Sequence, residues 1–176
     1  MQKPSIQQII DQFHLEPLPI EGGLFTQTYC SPETIDSQAL PERFHGTPHP
    51  FGTAILFLLT PDPESFSALH RLPTDEIYHF YLGDPVEMLL LYPDGQSQHV
   101  VLGQDIAAGQ KVQFVAPRGV WQGSRLKKGG EFALLGTTMA PGYIQDDFED
   151  GQDLNLADQY PHEAEFIQQL IHKQNQ

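Results

Sequence analysis

The chain is poor in cations, nearly without cysteine, and has no apolar run long enough to cross a bilayer. Lys and Arg total 9 against 23 Asp and Glu, for a formal net charge of -14. Such a chain repels a phosphate backbone, so no nucleic-acid partner is expected. The charge reads as a well-solvated surface first, and as a field that steers cationic ligands second. Cys30 stands alone, which rules out an intrachain disulfide and a disulfide-built secreted scaffold. At the end of LFTQTYC it reads as a small packed hydrophobe, with a reactive thiol as the alternative. The apolar stretch AILFLLT at 54–60 falls far short of the ~18 to 20 residues of a membrane span and reads as a buried strand. The N-terminal MQKPSIQQIIDQFHLEP mixes polar residues among its Ile positions, unlike a signal peptide. A soluble cytoplasmic protein with no membrane partner is the expectation. Also missing are a phosphate-cradling Gly-rich loop and a Gly-x-Ser-x-Gly elbow, which argues against nucleotide hydrolysis and serine esterase chemistry.

What is present favours a turn-rich β protein. Hydrophobic residues make up 39% and charged residues 18%, with 15 Gly and 15 Pro in 176 residues. That length suits one domain over 1–176, with a core at about 20–148. Short strand-like segments recur between breakers: LFTQTY, TAILFLL, SALHRL, EIYHFYL, VEMLLLY, SQHVVL, VQFVA, VWQGSRL and EFALLGTTM. Many short strands with regular turns indicate a sandwich or barrel. Helical periodicity is confined to the ends. Ile6, Ile9, Ile10 and Phe13 form one stripe after a Ser5 cap, over about 5–14. Ala164, Ile167, Leu170 and Ile171 form another after Pro161, over about 161–173, with Lys173 late as the helix dipole favours. A long polar loop at 31–50 interrupts the strands and reads as a lid, a partner surface or a disordered segment.

The stretch SALHRLPTDEIYHFYLG at 67–83 carries the chemistry. Side chains alternate across a strand, so Glu76, Tyr78 and Phe80 share a face, and His70 on the preceding strand reaches it. His79 points the other way and reads as packing. Arg71 and Asp75 read as a charge pair fixing the turn, with Arg71 as the group able to hold a carboxylate or phosphate at a pocket mouth. Pro117 and Gly119 punctuate a second segment that ends on Gln122, with Trp121 on the opposite face. The acids of DDFED (Asp146, Asp147, Glu149, Asp150) lack the spacing of a calcium loop and read as solvated.

His70, Glu76 and Gly83, with Pro117, Gly119 and Gln122, resemble the paired motifs of the cupin superfamily. Leu72 and Gln122 stand where two histidines are usual. EGGLFTQTY at 21–29, LHRLPTDEIYHFYLGDPVEMLLLYPDG at 69–95, VAPRGVWQG at 115–123 and TTMAPGYIQDDFE at 137–149 narrow the resemblance to the Cupin_5 subfamily over roughly 5–171. It implies a mainly β, cupin-type antiparallel barrel or jelly roll with helices at both ends. With the argument from exposed edge strands, it also implies a homodimer. The resemblance places the EGG segment near the pocket and so nominates Phe25 and Tyr29.

The expected function is a small-molecule-binding cupin, an isomerase or epimerase on a sugar-like or other polar metabolite. His70, Glu76 and Tyr78 would be its catalytic groups, and Phe25, Tyr29, Arg71, Phe80 and Gln122 its ligand contacts. Two alternatives stand beside it. One is a metal-dependent oxidoreductase or dioxygenase in which His70, Glu76 and Gln122 hold Zn, Mn, Fe or Ni. The other is a noncatalytic dimeric carrier or storage-like protein. No cofactor is firmly implied.

Overall fold

Period-two alternation sets up strands through the middle of the chain, and the computed structural model, which describes residues 3–172, pairs them into antiparallel sheets. In chain order they are β1 (Glu16–Pro17), β2 (Leu24–Cys30), β3 (Thr34–Ile35), β4 (His49–Pro50), β5 (Thr53–Leu59), β6 (Phe66–Arg71) and β7 (Glu76–Gly83). There follow β8 (Val86–Leu91), β9 (Ser97–Leu102), β10 (Gln113–Ala116), β11 (Trp121–Leu126), β12 (Ala133–Met139) and β13 (Glu149–Asp150). A six-stranded sheet runs β1-β2-β5-β12-β7-β10 and a five-stranded sheet β13-β6-β11-β8-β9, with β3 and β4 as a small ribbon.

Each sheet is apolar on both faces, and this stacks three clusters across the molecule. Between the sheets lie Phe57, Leu59, Tyr78, Phe80, Met88, Leu90 and Leu135. The outer face of the five-stranded sheet, with Leu69, Leu89, Leu91 and Trp121, packs against Leu156, Tyr160, Ile167 and Leu170 of the C-terminal segment. The outer face of the six-stranded sheet, with Leu58 and Leu134, is covered by Ile9 and Leu15. Strand β8 belongs to two clusters at once, which is why its sequence VEMLLL is a near-continuous apolar run.

The first helix, α1 (Ile6–Phe13), forms as its stripe predicts and is closed by a capping box. Ser5 Oγ accepts from the Gln8 amide at 3.2 Å, and Gln8 Oε1 accepts from the Ser5 amide at 2.9 Å. The C-terminal helix expected over 161–173 is instead broken into α2 (Leu156–Gln159), a 3-10 turn at Pro161–Glu163 and α3 (Ala164–Gln168). The chain leaves the helix because the Leu170 carbonyl accepts from the Leu69 amide at 3.0 Å, tying the backbone to β6; Lys173 lies outside the described residues.

The segment 31–50 is organised rather than an open loop: two 3-10 turns carry Phe44 into a buried position, and Thr34 pairs with Pro50. Cys30 is exposed, against the packed reading, because β2 runs out past the cover of the sheet. Gly83 ends β7 at φ 107°, where an added Cβ would sit 2.2 Å from the Phe132 carbonyl oxygen. No L side chain fits there.

Candidate functional site

His70 on β6 and Glu76 on β7 come from different sheets and meet in the interior. Gln122 on β11 stands beside His70 in register. All three are buried. His70 Nδ1–H donates to the Ala68 carbonyl at 2.8 Å, leaving Nε2 turned toward Gln122 Nε2 at 3.2 Å and Glu76 Oε2 at 3.8 Å. Gln122 Nε2 donates to Glu76 Oε2 at 2.7 Å, and Tyr78 Oη donates to the same oxygen at 3.1 Å.

A second carboxylate approaches this trio. Gly22, at φ 93° and with its missing Cβ only 2.5 Å from the Phe66 carbonyl, lets the chain pass close over β6. The Ala68 amide then donates to the Glu21 carbonyl at 2.7 Å, and Ser67 Oγ donates to Glu21 Oε1 at 2.7 Å. His70, Glu76 and Glu21 line one cavity of about 400 Å³ with mostly apolar walls, including Phe25, Leu72, Met139, Tyr143 and Phe148. Phe148 stacks on His70 with ring centroids 5.2 Å apart.

The electrostatics follow from burial and these two carboxylates. Burial disfavours the imidazolium, yet Glu21 and then Glu76 outweigh it and hold His70 up at about 9. Burial pushes the Glu76 carboxyl up, but His70, Thr137 and Tyr78 more than offset this and leave it below its ordinary range. Glu21 has less support: burial and the nearby Glu76 raise it. Burial pushes Tyr143 up to about 12, with Glu21 adding to it. With the Gln122 amide as placed, Nε2 of His70 accepts and the ring is neutral. When the ring takes its second proton, that proton is set against Glu76 Oε2 at 3.8 Å. The two carboxylates make that protonated state the one at neutral pH.

A group raised from about 6.5 to about 9 on folding stabilises fully below the lower value, and that contribution is lost as pH rises through the higher one. Thermal unfolding should therefore show a Tm about 5 °C lower at pH 9.5 than at pH 6.5. The difference should shrink in His70→Gln; an equal loss in that variant would remove His70 as its source.

Of the other expected contacts, Phe25 lines the cavity, while Gln122 lies behind it. Tyr78 and Phe80 face inward, as alternation requires, but fill the apolar cluster below the cavity. Tyr78 reaches the site only through its hydroxyl on Glu76, and Phe80 is not a wall. Tyr29 is a correction: the register shifts between Gln27 and Tyr29, and the ring is turned to solvent, 54% exposed. Arg71 is another. Its guanidinium pairs with Glu149 through Nε at 2.8 Å and Nη2 at 2.6 Å and lies over Trp121, lining a neighbouring cleft instead. Asp75 does not pair with Arg71; it accepts from the Arg118 amide at 2.8 Å. The acids of DDFED are not all solvated, since Asp147 is buried against His49 Nε2, with both carboxylate oxygens at 3.0 Å.

The residues do not suit a divalent metal. Among the described residues no group of three or more His, Cys, Asp or Glu is placed to hold one. Leu72 contributes an apolar wall where a second imidazole would be needed, and Gln122 turns a donor, not its oxygen, toward His70 and Glu76. His70, Glu76 and Gln122 thus form a hydrogen-bonded network rather than the metal ligand set that the alternative reading gave them.

The family model described as "Cupin superfamily (DUF985)", Cupin_5, matches residues 7–150. The chain belongs to the Cupin_5 family. This cupin is 32% identical over 165 residues to the uncharacterized protein YML079W of Saccharomyces cerevisiae, covering 90% of this chain and 79% of that protein. Among solved structures it is similar to a hypothetical protein from Leishmania major, with TM-score 0.84 and 27% identity over 97% of this chain and 100% of that one. It is also similar to protein SO0799 from Shewanella oneidensis, with TM-score 0.83 and 30% identity over 98% and 100%. Glu21, Tyr143 and Phe148, which the motif reading did not nominate, enter this cupin's cavity from segments outside the strands. The only local signal for Glu21 was the Gly pair that follows it.

Proposed function

We propose that this cupin binds a small metabolite and moves a proton on it, the chemistry of an isomerase or epimerase. The observation that carries the reading is two titratable groups of opposite character on one cavity: His70 held up at about 9 and Glu21, a carboxyl raised by burial, with Glu76 held below its ordinary range beside them. Such pairs divide acid and base roles. Glu21 as carboxylate removes a proton from a carbon next to a carbonyl, while the His70 imidazolium gives its Nε2 proton to the carbonyl oxygen. The C–H electron pair becomes the enol double bond. One proton then returns from Glu21 to carbon, to the same carbon for an epimerisation or to its neighbour for an isomerisation, while an enol hydroxyl gives its proton back to His70 and the carbonyl re-forms. Glu76 holds the charge of His70 through the cycle, and the apolar walls keep water from competing. Tyr78 remains outside the proton path, because burial and the adjacent carboxylates raise its hydroxyl well above its ordinary range.

The unpaired edge of β10 in the six-stranded sheet, with Val112 and Val115 exposed, supports assembly into the expected homodimer.

Deuterium wash-in at carbons beside carbonyls, followed by proton NMR over a panel of aldoses, ketoses and small 2-oxo compounds, tests the chemistry. One class should exchange, and Glu21→Gln and His70→Gln should each slow it by about 100-fold or more. Equal rates in both variants would sink the assignment. Silence across the panel would overturn the catalytic half and leave a ligand carrier.

A further inference from the structure

The charges around the cavity do not balance. Glu76 and His70 compensate each other at 3.8 Å. Glu21 acts on the same imidazolium from beyond 4.0 Å and has no cation of its own: its carboxylate accepts from the neutral Ser67 hydroxyl, and no ion pair joins it to a cation within 4.0 Å among the described residues. No Lys or Arg lines the cavity. A carboxylate set against mostly apolar walls is costly unless a cation meets it, and burial accordingly raises the Glu21 carboxyl.

The same count bears on what can enter. The one cationic side chain in the wall, His70, donates its Nδ1–H to the Ala68 carbonyl and is already set against two carboxylates, Glu76 at 3.8 Å and Glu21. A phosphate or carboxylate on a ligand would find one imidazolium already outnumbered by two carboxylates. An ammonium finds the reverse. The rings of Phe25, Tyr143 and Phe148 stand in the same walls, offering apolar contact to a ligand body and π faces to a positive charge.

Resting on the reading of this cavity as a ligand site, we infer that the ligand is a small amine: a protonated primary or secondary amino group on an apolar or aromatic body, its charge set against Glu21. The carbonyl on which the proton moves is then carried by the same molecule, as in an amino ketone or amino aldehyde. Sugar phosphates, nucleotide sugars and dicarboxylates are excluded by the same charges.

Three probes that share one body separate the possibilities: 2-phenylethylamine, 2-phenylethanol and phenylacetate, titrated calorimetrically into the full chain. A single-ring probe is well within a cavity of about 400 Å³. The amine should bind about tenfold or more tighter than the alcohol, and phenylacetate weakest of the three. In Glu21→Gln, where the amide still accepts from Ser67, the amine-to-alcohol ratio should fall to about one. Tightest binding of phenylacetate, or an amine preference unchanged in Glu21→Gln, overturns the inference while leaving the cavity a binding site. Binding of none of the three also overturns it. If deuterium wash-in is then still seen on another compound, the proton-transfer reading stands and only the ligand class falls.

Discussion

Glu76→Ala should lower the thermal unfolding midpoint by about 10 °C, corresponding to roughly 3 to 5 kcal/mol for breaking one side of a buried charged pair. The size follows from what the one carboxylate does. Its Oε2 accepts from Gln122 Nε2 at 2.7 Å and from Tyr78 Oη at 3.1 Å, and faces His70 Nε2 at 3.8 Å. Alanine leaves two buried donors without an acceptor and removes the nearer compensation for an imidazolium. Glu76→Gln keeps the shape and an acceptor oxygen while removing the charge, so it should cost distinctly less. Circular dichroism melts of the three proteins check the order. A midpoint for Glu76→Ala within about 2 °C of the parent would mean that water replaces the carboxylate and the network is not under tension.

The second large effect lies away from the cavity floor. His49→Ala should also cost about 3 kcal/mol or more, because Asp147 is left as a buried, uncompensated charge. His49 is fully buried, donates its Nδ1–H to the Thr47 carbonyl at 2.7 Å, and meets both oxygens of Asp147 at 3.0 Å. A donor at Nδ1 is required there, since a carbonyl only accepts. This pair clamps the 31–50 segment onto the segment that brings Tyr143 and Phe148 to the cavity. Two readouts should move together: the melting midpoint, and amide hydrogen exchange over 143–149, which should speed up. A His49→Leu, Asp147→Leu double replacement should recover part of the stability, since the lone charge is gone. If the double variant loses, relative to the parent, the full sum of the losses of His49→Leu and Asp147→Leu measured singly, the pair is not coupled.

The elements that the amino-acid pattern reveals are those decided locally. TAILFLL, EIYHFYL and VEMLLLY each alternate or run apolar between breakers, and all are strands. The Ser5 cap and the Ile stripe likewise settle α1 within its own turn of chain. Where a distant group decides, the pattern misleads. Alternation from Phe25 would carry Tyr29 to the cavity side, but a register shift opposite Ile55 and Ala54 turns it out. The apolar stripe through Leu170 and Ile171 is helical in spacing, yet a backbone bond from Leu69 draws that stretch off the helix.

The site divides in the same way. His70, Glu76 and Gln122 were legible because they fall at the spacings of the paired cupin motifs, on β6, β7 and β11. Glu21 was not, since one acid beside two glycines has the composition of any turn. His49 and Asp147, 98 positions apart, carry no shared period by which they could be linked.

The walls of the cavity come from two kinds of backbone. His70, Glu76 and Thr137 are on strands locked on both sides by ladder pairing, whereas residues 18–21 and 143–148 lie between strands and are fastened by a few side-chain and backbone bonds. The floor and the rim are therefore under separate constraints. Substitutions along the two rim segments can reshape the opening with little effect on the sheets, while His70 and Glu76 stay in place. Under the proposed function, relatives with the same floor and different rims are expected to take different ligands.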